Sequence, residues 1–239
     1  MDVSELIERY PRLFHLTEAG SAEGIIEHGL LSAQELVSTS GLSPDEQAAS
    51  LGRPRRRALT IDHPVLGKVT LRDQTPLRDH ILDRVLVDMT VQQWLSALNE
   101  RAFFWLHPQR LDQLLNAQRN RGRSHDVLVI DTASLVSAHG HRVQLSAINS
   151  GSTLYPNAPQ RGTQTFQAIE DYPFAERIGR RTPQAAVVEL AVCGGVRNIS
   201  EHVIETYRTP GPTRPAQKKR QPPQGPRVPA SRKPDPLGL

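Results

Sequence analysis

The chain has 239 residues, 37% of them apolar and 23% charged, with a formal net charge of +4 and a single cysteine. That length supports one domain of ordinary size with a buried core. The lone Cys193 excludes an internal disulfide framework and a thiolate zinc site, and no stretch approaches the roughly 20 apolar residues of a membrane span. Met1-Asp2-Val3-Ser4-Glu5 is not a basic segment leading into an apolar one, so the expectation is a cytoplasmic protein with no signal peptide and no membrane contact.

The charge is unevenly placed. From Thr209 onward there are seven lysines and arginines against the single acid Asp235, a net +6, which leaves −2 of the +4 for residues 1–208. The same segment holds nine prolines and almost no large apolar residues, too few to bury the surface that folding requires. The expected organisation is a folded domain over 1–208 and a disordered, proline-rich basic tail over 209–239. Such a tail holds nucleic acid or another acidic partner loosely, or serves as a solubilising extension.

In chain order, Phe14-His15-Leu16-Thr17 reads as a strand whose His15 and Thr17 point to the same side. Ser21 opens a helix through Ile25 and Ile26 that Gly29 stops. Ser32 with Glu35, and Ser43-Pro44 with Glu46, mark two further helix starts. Arg53-Pro54-Arg55-Arg56-Arg57 is a basic loop before short strands at 57–62 and 68–72. Thr90 with Gln93 caps a helix through Trp94, Leu95 and Leu98. Ala102-Phe103-Phe104-Trp105-Leu106 is a buried strand, 108–118 a helix with Leu111, Leu114 and Leu115 on one face, and 126–131 a second core strand. Residues 142–148 alternate and end in the turn Asn149-Ser150-Gly151-Ser152; a loop follows over 153–162. Strands at 184–192 and 202–207 close the domain. Without β-α-β alternation, the pattern predicts an α+β fold with a mixed, mostly antiparallel sheet flanked by helices.

Dinucleotide-binding glycine patterns and phosphate-loop lysine motifs are absent, and the flanks of Ser150 do not make a nucleophile elbow. His139 and His141 sit two apart with no acid or cysteine cluster beside them, so a solvated turn is favoured over a metal site. Three constellations remain. His15 and Thr17 offer neutral hydrogen-bonding groups for a sugar or amide, or simply a satisfied strand end. Arg72, after Val69-Thr70-Leu71, either clamps a phosphate or pairs locally with Asp73 or Asp79. Glu189 lies inside the apolar run Ala186–Val192, which is unfavourable unless it faces a polar cleft or a partner. There it stabilises a developing oxocarbenium charge or binds a ribose hydroxyl; the alternative is an edge-strand acid facing water.

Phe-His-x-Thr, a short helix and Gly29-Leu30-Leu31 resemble the opening of the ADP-ribosyltransferase superfamily, in the style of DarT-type DNA ADP-ribosyltransferases and RNA 2′-phosphotransferases. Glu189-Leu-Ala-Val-Cys-Gly-Gly-Val, with Ile199 and His202 beyond, resembles the DarT-type catalytic strand. The blocks FHLTEAGS, LRDQTP, FFWL, HDVLVIDTASLV, INSGST and VVELAVCGGV, from about Leu13 to Val203, are similar to those of an uncharacterised bacterial family. The superfamily resemblance implies NAD as substrate, His15 and Thr17 as NAD-binding, and Glu189 (with His15) as catalytic. Phe104 or Trp105 would stack on nicotinamide, Arg72 would hold the pyrophosphate, and Asn149 and Ser150 would approach ligand or acceptor. Arg161 would help to recognise the target. Two departures stand out: Phe103-Phe104-Trp105 supplies no hydroxyl where the family has one, and the arginine cluster of the phosphotransferases is missing. A catalytically inactive binding module with a nucleic-acid-binding tail, and an RNA 2′-phosphotransferase-like enzyme, are the alternative functions.

Overall fold

Asp2 accepts from the Glu5 amide and so caps a short helix, α1 (Val3–Arg9), from which the chain enters strand β1 (Arg12–Glu18). The computed structural model describes residues 1–118, 120–179 and 182–210; the expected disordered tail lies, from residue 211 on, outside the described residues. Three short helices follow where their stop and start signals place them: α2 (Ala22–His28), α3 (Ala33–Ser38) and α4 (Pro44–Leu51). Ser32 accepts from the Glu35 amide, and Ser43 and Glu46 cap each other reciprocally. The hairpin β2 (Leu59–His63) and β3 (Gly67–Leu71) is a separate two-stranded sheet, sharing a small core of Val37, Ile61 and Leu71 with α3.

Then come α5 (Asp79–Val85), α6 (Val91–Asn99), β4 (Arg101–Trp105), α7 (Pro108–Asn116), β5 (His125–Asp131), α8 (Thr132–His139) and β6 (Val143–Ser146). After a long loop the chain forms β7 (Gln167–Ala168), α9 (Phe174–Ile178), α10 (Pro183–Ala186), β8 (Glu189–Cys193) and β9 (Val203–Arg208). Helices α1, α5, α8 and α9 are about two turns or shorter, too brief for a 3.6-residue period to reveal them in the sequence. The strand expected over 184–192 opens as the end of a short helix and two irregular residues. Pro183 sits in a first helical turn, where its missing N–H does no harm, and the strand begins only at Glu189. No helix among the described residues is long and apolar enough to cross a membrane.

The α+β expectation holds. Seven strands form one sheet in the order β7-β6-β8-β4-β1-β5-β9, and every neighbouring pair is antiparallel. Directly opposed residues share a face, so the register sorts the side chains. Phe14 opposes Trp105, Trp105 opposes Glu189, and Glu189 opposes Ser146. On that face Phe14, Leu16, Val127 and Val129 pack under Leu111 of α7, while Ala191 packs with Trp94, Leu95 and Leu98 of α6. On the other face Leu13, Phe104, Leu128, Ile130, Leu190 and Val192 meet Leu6 of α1 and Leu135 of α8 in the largest core. Strands β1 and β5 share seven register pairs, but β1 and β4 share one, so the sheet opens between them beyond Phe14.

The glycines near residues 29 and 195 answer to packing. Leu30 and Val196 exchange backbone hydrogen bonds at 2.9 and 2.7 Å, drawing two remote segments together. A Cβ on Gly29 would lie 2.6 Å from the Arg197 carbonyl oxygen, and one on Gly195 would lie 2.4 Å from that of Leu30. Both residues also have positive φ, +97° and +73°. Beyond β9, Thr209 continues the ladder by donating its amide to His125 O (2.8 Å) and accepting the His125 amide on its hydroxyl (2.9 Å). Gly29→Ala and Gly195→Ala should each lower stability by about 1–3 kcal/mol. Gly24→Ala, inside α2 with open space around it, should leave stability equal or raise it by up to about 1 kcal/mol. Thermal and urea unfolding of the three variants checks this.

Candidate active site

Glu189 stands at the first position of β8, only 4% exposed. Its Oε2 accepts two hydrogen bonds from one residue: the Ser150 amide at 3.0 Å and the Ser150 hydroxyl at 2.7 Å. Oε1 makes no hydrogen bond among the described residues. Ser150 lies on the turn that follows β6, and that turn is fixed from below by Arg161. The Arg161 guanidinium is 1% exposed and donates to the carbonyls of Ser150 (3.0 Å), Ser152 (3.1 Å) and Pro159 (3.2 Å) while lying over the Trp94 ring. Arg161 is therefore a clamp for the loop over 149–161, its guanidinium taken up by loop carbonyls where the resemblance implied a part in recognising the target. Burial pulls its pKa down to about 10, and the Glu189 charge opposes that shift.

Burial pushes the Glu189 carboxyl up to about 7; the Ser150 hydroxyl and amide, then the charges of Arg161 and Arg110, pull it back. A carboxyl poised at neutrality can give or take a proton near pH 7. Val188, the chain neighbour of Glu189, and Asn149, the neighbour of Ser150, line a groove of about 270 Å³ together with Ser152, Tyr155, Asn157 and Arg110, and the buried carboxyl lies behind that lining. Trp105, half-buried, is the cross-strand neighbour of Glu189 on the same face.

The structure thus brings Glu189, Ser150, Asn149 and Trp105 together, and places the other sequence-derived candidates elsewhere. His15 follows Phe14 and so projects from the opposite face of the sheet; the single cleft shared with Glu189 is not formed by their side chains. Its Nδ1–H donates to the Phe103 carbonyl at 2.9 Å, at the opening between β1 and β4, and its ring leans on Phe104. Burial holds this imidazole neutral, with a pKa of about 4; the Phe103 carbonyl opposes the shift and Arg72 adds to it. Thr17 has the parity of His15. Arg72 lies near His15, donating to Leu16 O (3.2 Å) and Asn120 Oδ1 (3.4 Å) and facing Glu18 at 3.6 Å. It pairs with its surroundings and is not among the charges that act on Glu189. Phe104 is 1% exposed in the central core and has no face for a ligand. Asp79, a suggested partner for Arg72, pairs with Arg56.

The two-apart histidines also separate. His139 Nδ1 accepts from Arg142 at 2.8 Å and its Nε2–H donates to Asn198 at 2.7 Å. Among the described residues no group of three or more His, Cys, Asp or Glu side chains is placed to hold a metal ion.

Residues 11–203 match a family whose description reads "Family of unknown function (DUF7002)". The chain belongs to that family. No curated protein and no solved structure matches it. The DUF7002 span runs from the start of β1 to the first residue of β9, so it encloses Glu189, Ser150, Trp105 and the groove, and it stops short of the tail. The sequence blocks from Leu13 to Val203 fall inside it. Arg110 and the clamping role of Arg161 have no sequence signal of their own; one reads as the solvated side of a helix, the other as a loop arginine.

The pKa of Glu189 makes a stability prediction. Its folded value of about 7 lies above the ordinary 4.5, so the stabilisation it gives is complete below pH 4.5 and is lost as pH rises through 7. Glu189→Gln should therefore become progressively more stable than the parent between pH 5 and 8, as checked by urea unfolding across that range. Ser150→Ala should raise the Glu189 pKa further, which carboxyl carbon chemical shifts would follow.

Proposed function

We propose that this protein is an ADP-ribosyltransferase-type enzyme that takes NAD as substrate and transfers ADP-ribose to an acceptor, with Glu189 at the reacting centre. The observation that carries the reading is a buried carboxyl, half its acceptor capacity fixed by Ser150, poised to ionise near neutral pH directly behind a groove that its chain neighbour Val188 helps to line. The resemblance of the Glu189 strand to the DarT-type catalytic strand supplies the reaction class.

The chemistry assigned to these residues is substitution at the anomeric carbon of the nicotinamide ribose. Its C–N bond breaks, nicotinamide leaves with the bonding pair, and a lone pair of the acceptor forms the new bond at the same carbon. The Glu189 carboxylate stabilises the positive charge that develops on the ring. Its free Oε1 faces the sugar and receives the acceptor's proton, while Ser150 holds Oε2 still. The half-buried Trp105 offers apolar surface for the leaving base, and the Asn149 amide offers polar contacts at the groove edge. At about 270 Å³ the groove suits one end of the dinucleotide, below the roughly 300–1,000 Å³ of a whole-ligand pocket. His15, Thr17 and Arg72, on the far side of the opening between β1 and β4, take no part in this centre.

The separation of His15 from Glu189 and the modest groove favour a second reading, a non-catalytic binding module whose basic tail recruits nucleic acid. Incubating the full chain with labelled NAD, alone and with protein, single-stranded DNA or RNA, decides between them. The enzyme reading expects nicotinamide release that falls by about 10²-fold or more in Glu189→Gln. Equal release from both proteins, or none from either, leaves the binding module. Truncation after Pro210 should weaken nucleic-acid binding measured at low salt and flatten its salt dependence; an unchanged affinity removes nucleic acid as a partner of the tail.

A further inference from the structure

Arg110 is the cation of the groove beside Glu189, and nothing in the reaction proposed above uses it. It stands in the first turn of α7, half-buried, and its charge is felt by the Glu189 carboxyl. Among the described residues its side chain makes no hydrogen bond and no ion pair. Three other withdrawn arginines are fully engaged: Arg161 donates to three carbonyls, Arg55 to Arg72 O, Ser50 O and Asn99, and Arg142 to Cys193 O, Gly195 O and His139. A guanidinium carries five donors in a planar fork that matches phosphate oxygens. None of the Arg110 nitrogens is enclosed without a partner, so the fork stands open to a ligand in the groove that would complete it.

We propose that Arg110 is the anion anchor of the Glu189 groove, holding the phosphate of a phosphorylated ribosyl ligand whose sugar lies against Glu189. The inference rests on Glu189 being the sugar-facing carboxyl. The rest of the polar lining is neutral: the amides of Asn149 and Asn157 and the hydroxyls of Ser152 and Tyr155. One cation with neutral donors matches the single charge of a phosphodiester or pyrophosphate oxygen better than the double charge of a terminal monoester. The proximity of Arg110 to Glu189 also fixes the spacing, since the phosphate and the reacting sugar must be neighbours on one small ligand.

Equilibrium binding to the full chain tests this, with ADP-ribose, ribose 5-phosphate, ribose and inorganic phosphate as probes. The anchor predicts that ADP-ribose binds most tightly and that Arg110→Gln weakens it by about 10- to 100-fold. Arg110→Lys should recover part of the loss, because the charge returns without the fork. Ribose affinity should be the same in the parent and in Arg110→Gln. As Arg110 bonds to none of the described residues, the melting temperature of the variant should match the parent, so a lost affinity reports the contact. ADP-ribose binding indifferent to Arg110→Gln, no binding of any probe at millimolar concentration, or inorganic phosphate binding as tightly as ADP-ribose would each overturn the proposal. Arg110-dependent ADP-ribose binding without nicotinamide release would sink the enzyme reading and leave the anchor standing. Release that survives with ADP-ribose affinity indifferent to Arg110→Gln would do the reverse.

Discussion

Pleating gives the side chains of a strand a period of two, and the line of partners Phe14, Trp105, Glu189 and Ser146 locks that period across four strands. Each pairing holds the next: a one-residue slip at β8 would send Glu189 into the apolar core with Leu128 and Phe104 and expose Leu190 to the groove. The same line puts His15 on the far side, although its chain neighbour Phe14 is only two strand spacings, about 10 Å, from Glu189. Closeness along a sheet is thus no measure of whether two side chains meet. At the opening between β1 and β4, His15 on one face reaches the backbone carbonyl of Phe103.

Two covered acids of this sheet are shifted in opposite directions, by the depth at which each lies and by the partners each has. Asp126, 3% exposed, accepts from the Gly20 and Ala22 amides and from two nitrogens of Arg208. Those bonds, the Arg208 contact first, hold its carboxyl below the ordinary range and stitch the turn after β1 to β5. Glu189 receives two bonds from one neutral serine, and the arginine beneath it is taken up by loop carbonyls, so desolvation prevails. A satisfied carboxylate serves the fold, and an under-satisfied one is available for chemistry.

Much of the architecture is legible in the sequence because its signals are local. Serine, threonine and proline at helix starts place α3, α4 and α6, glycine ends α2, and the aromatic run places β4, since each of these effects acts within four residues. Glu189 is legible as well, as an acid stranded among aliphatic residues. The grouping of the candidates is not. Whether His15 and Glu189 face each other depends on the parity of two intervening pairings, and Phe104 and Trp105 differ only in which side of the pleat each occupies. Arg161 and Arg110 exchange the roles their surroundings in the chain suggest, because one is enclosed by a loop that folds over it and the other is left at a groove by α7. Gly29 reads only as a helix stop, whereas the missing side chains of Gly29 and Gly195 are needed where two backbones cross.

The crossing at Leu30 and Val196 also bears on how the molecule is made. Strand β1 lies inside the sheet, yet its two partners follow it in the chain by about 90 and 110 residues, and the bridge to residue 196 comes later still. A nascent chain leaving the ribosome therefore carries Phe14 and Leu16 uncovered until α7 and β5 have emerged, and β6 joins the sheet only once β8 is made. Assembly of the sheet thus waits on β8, and a chain interrupted before that strand would be a sticky, half-built intermediate for the chaperones.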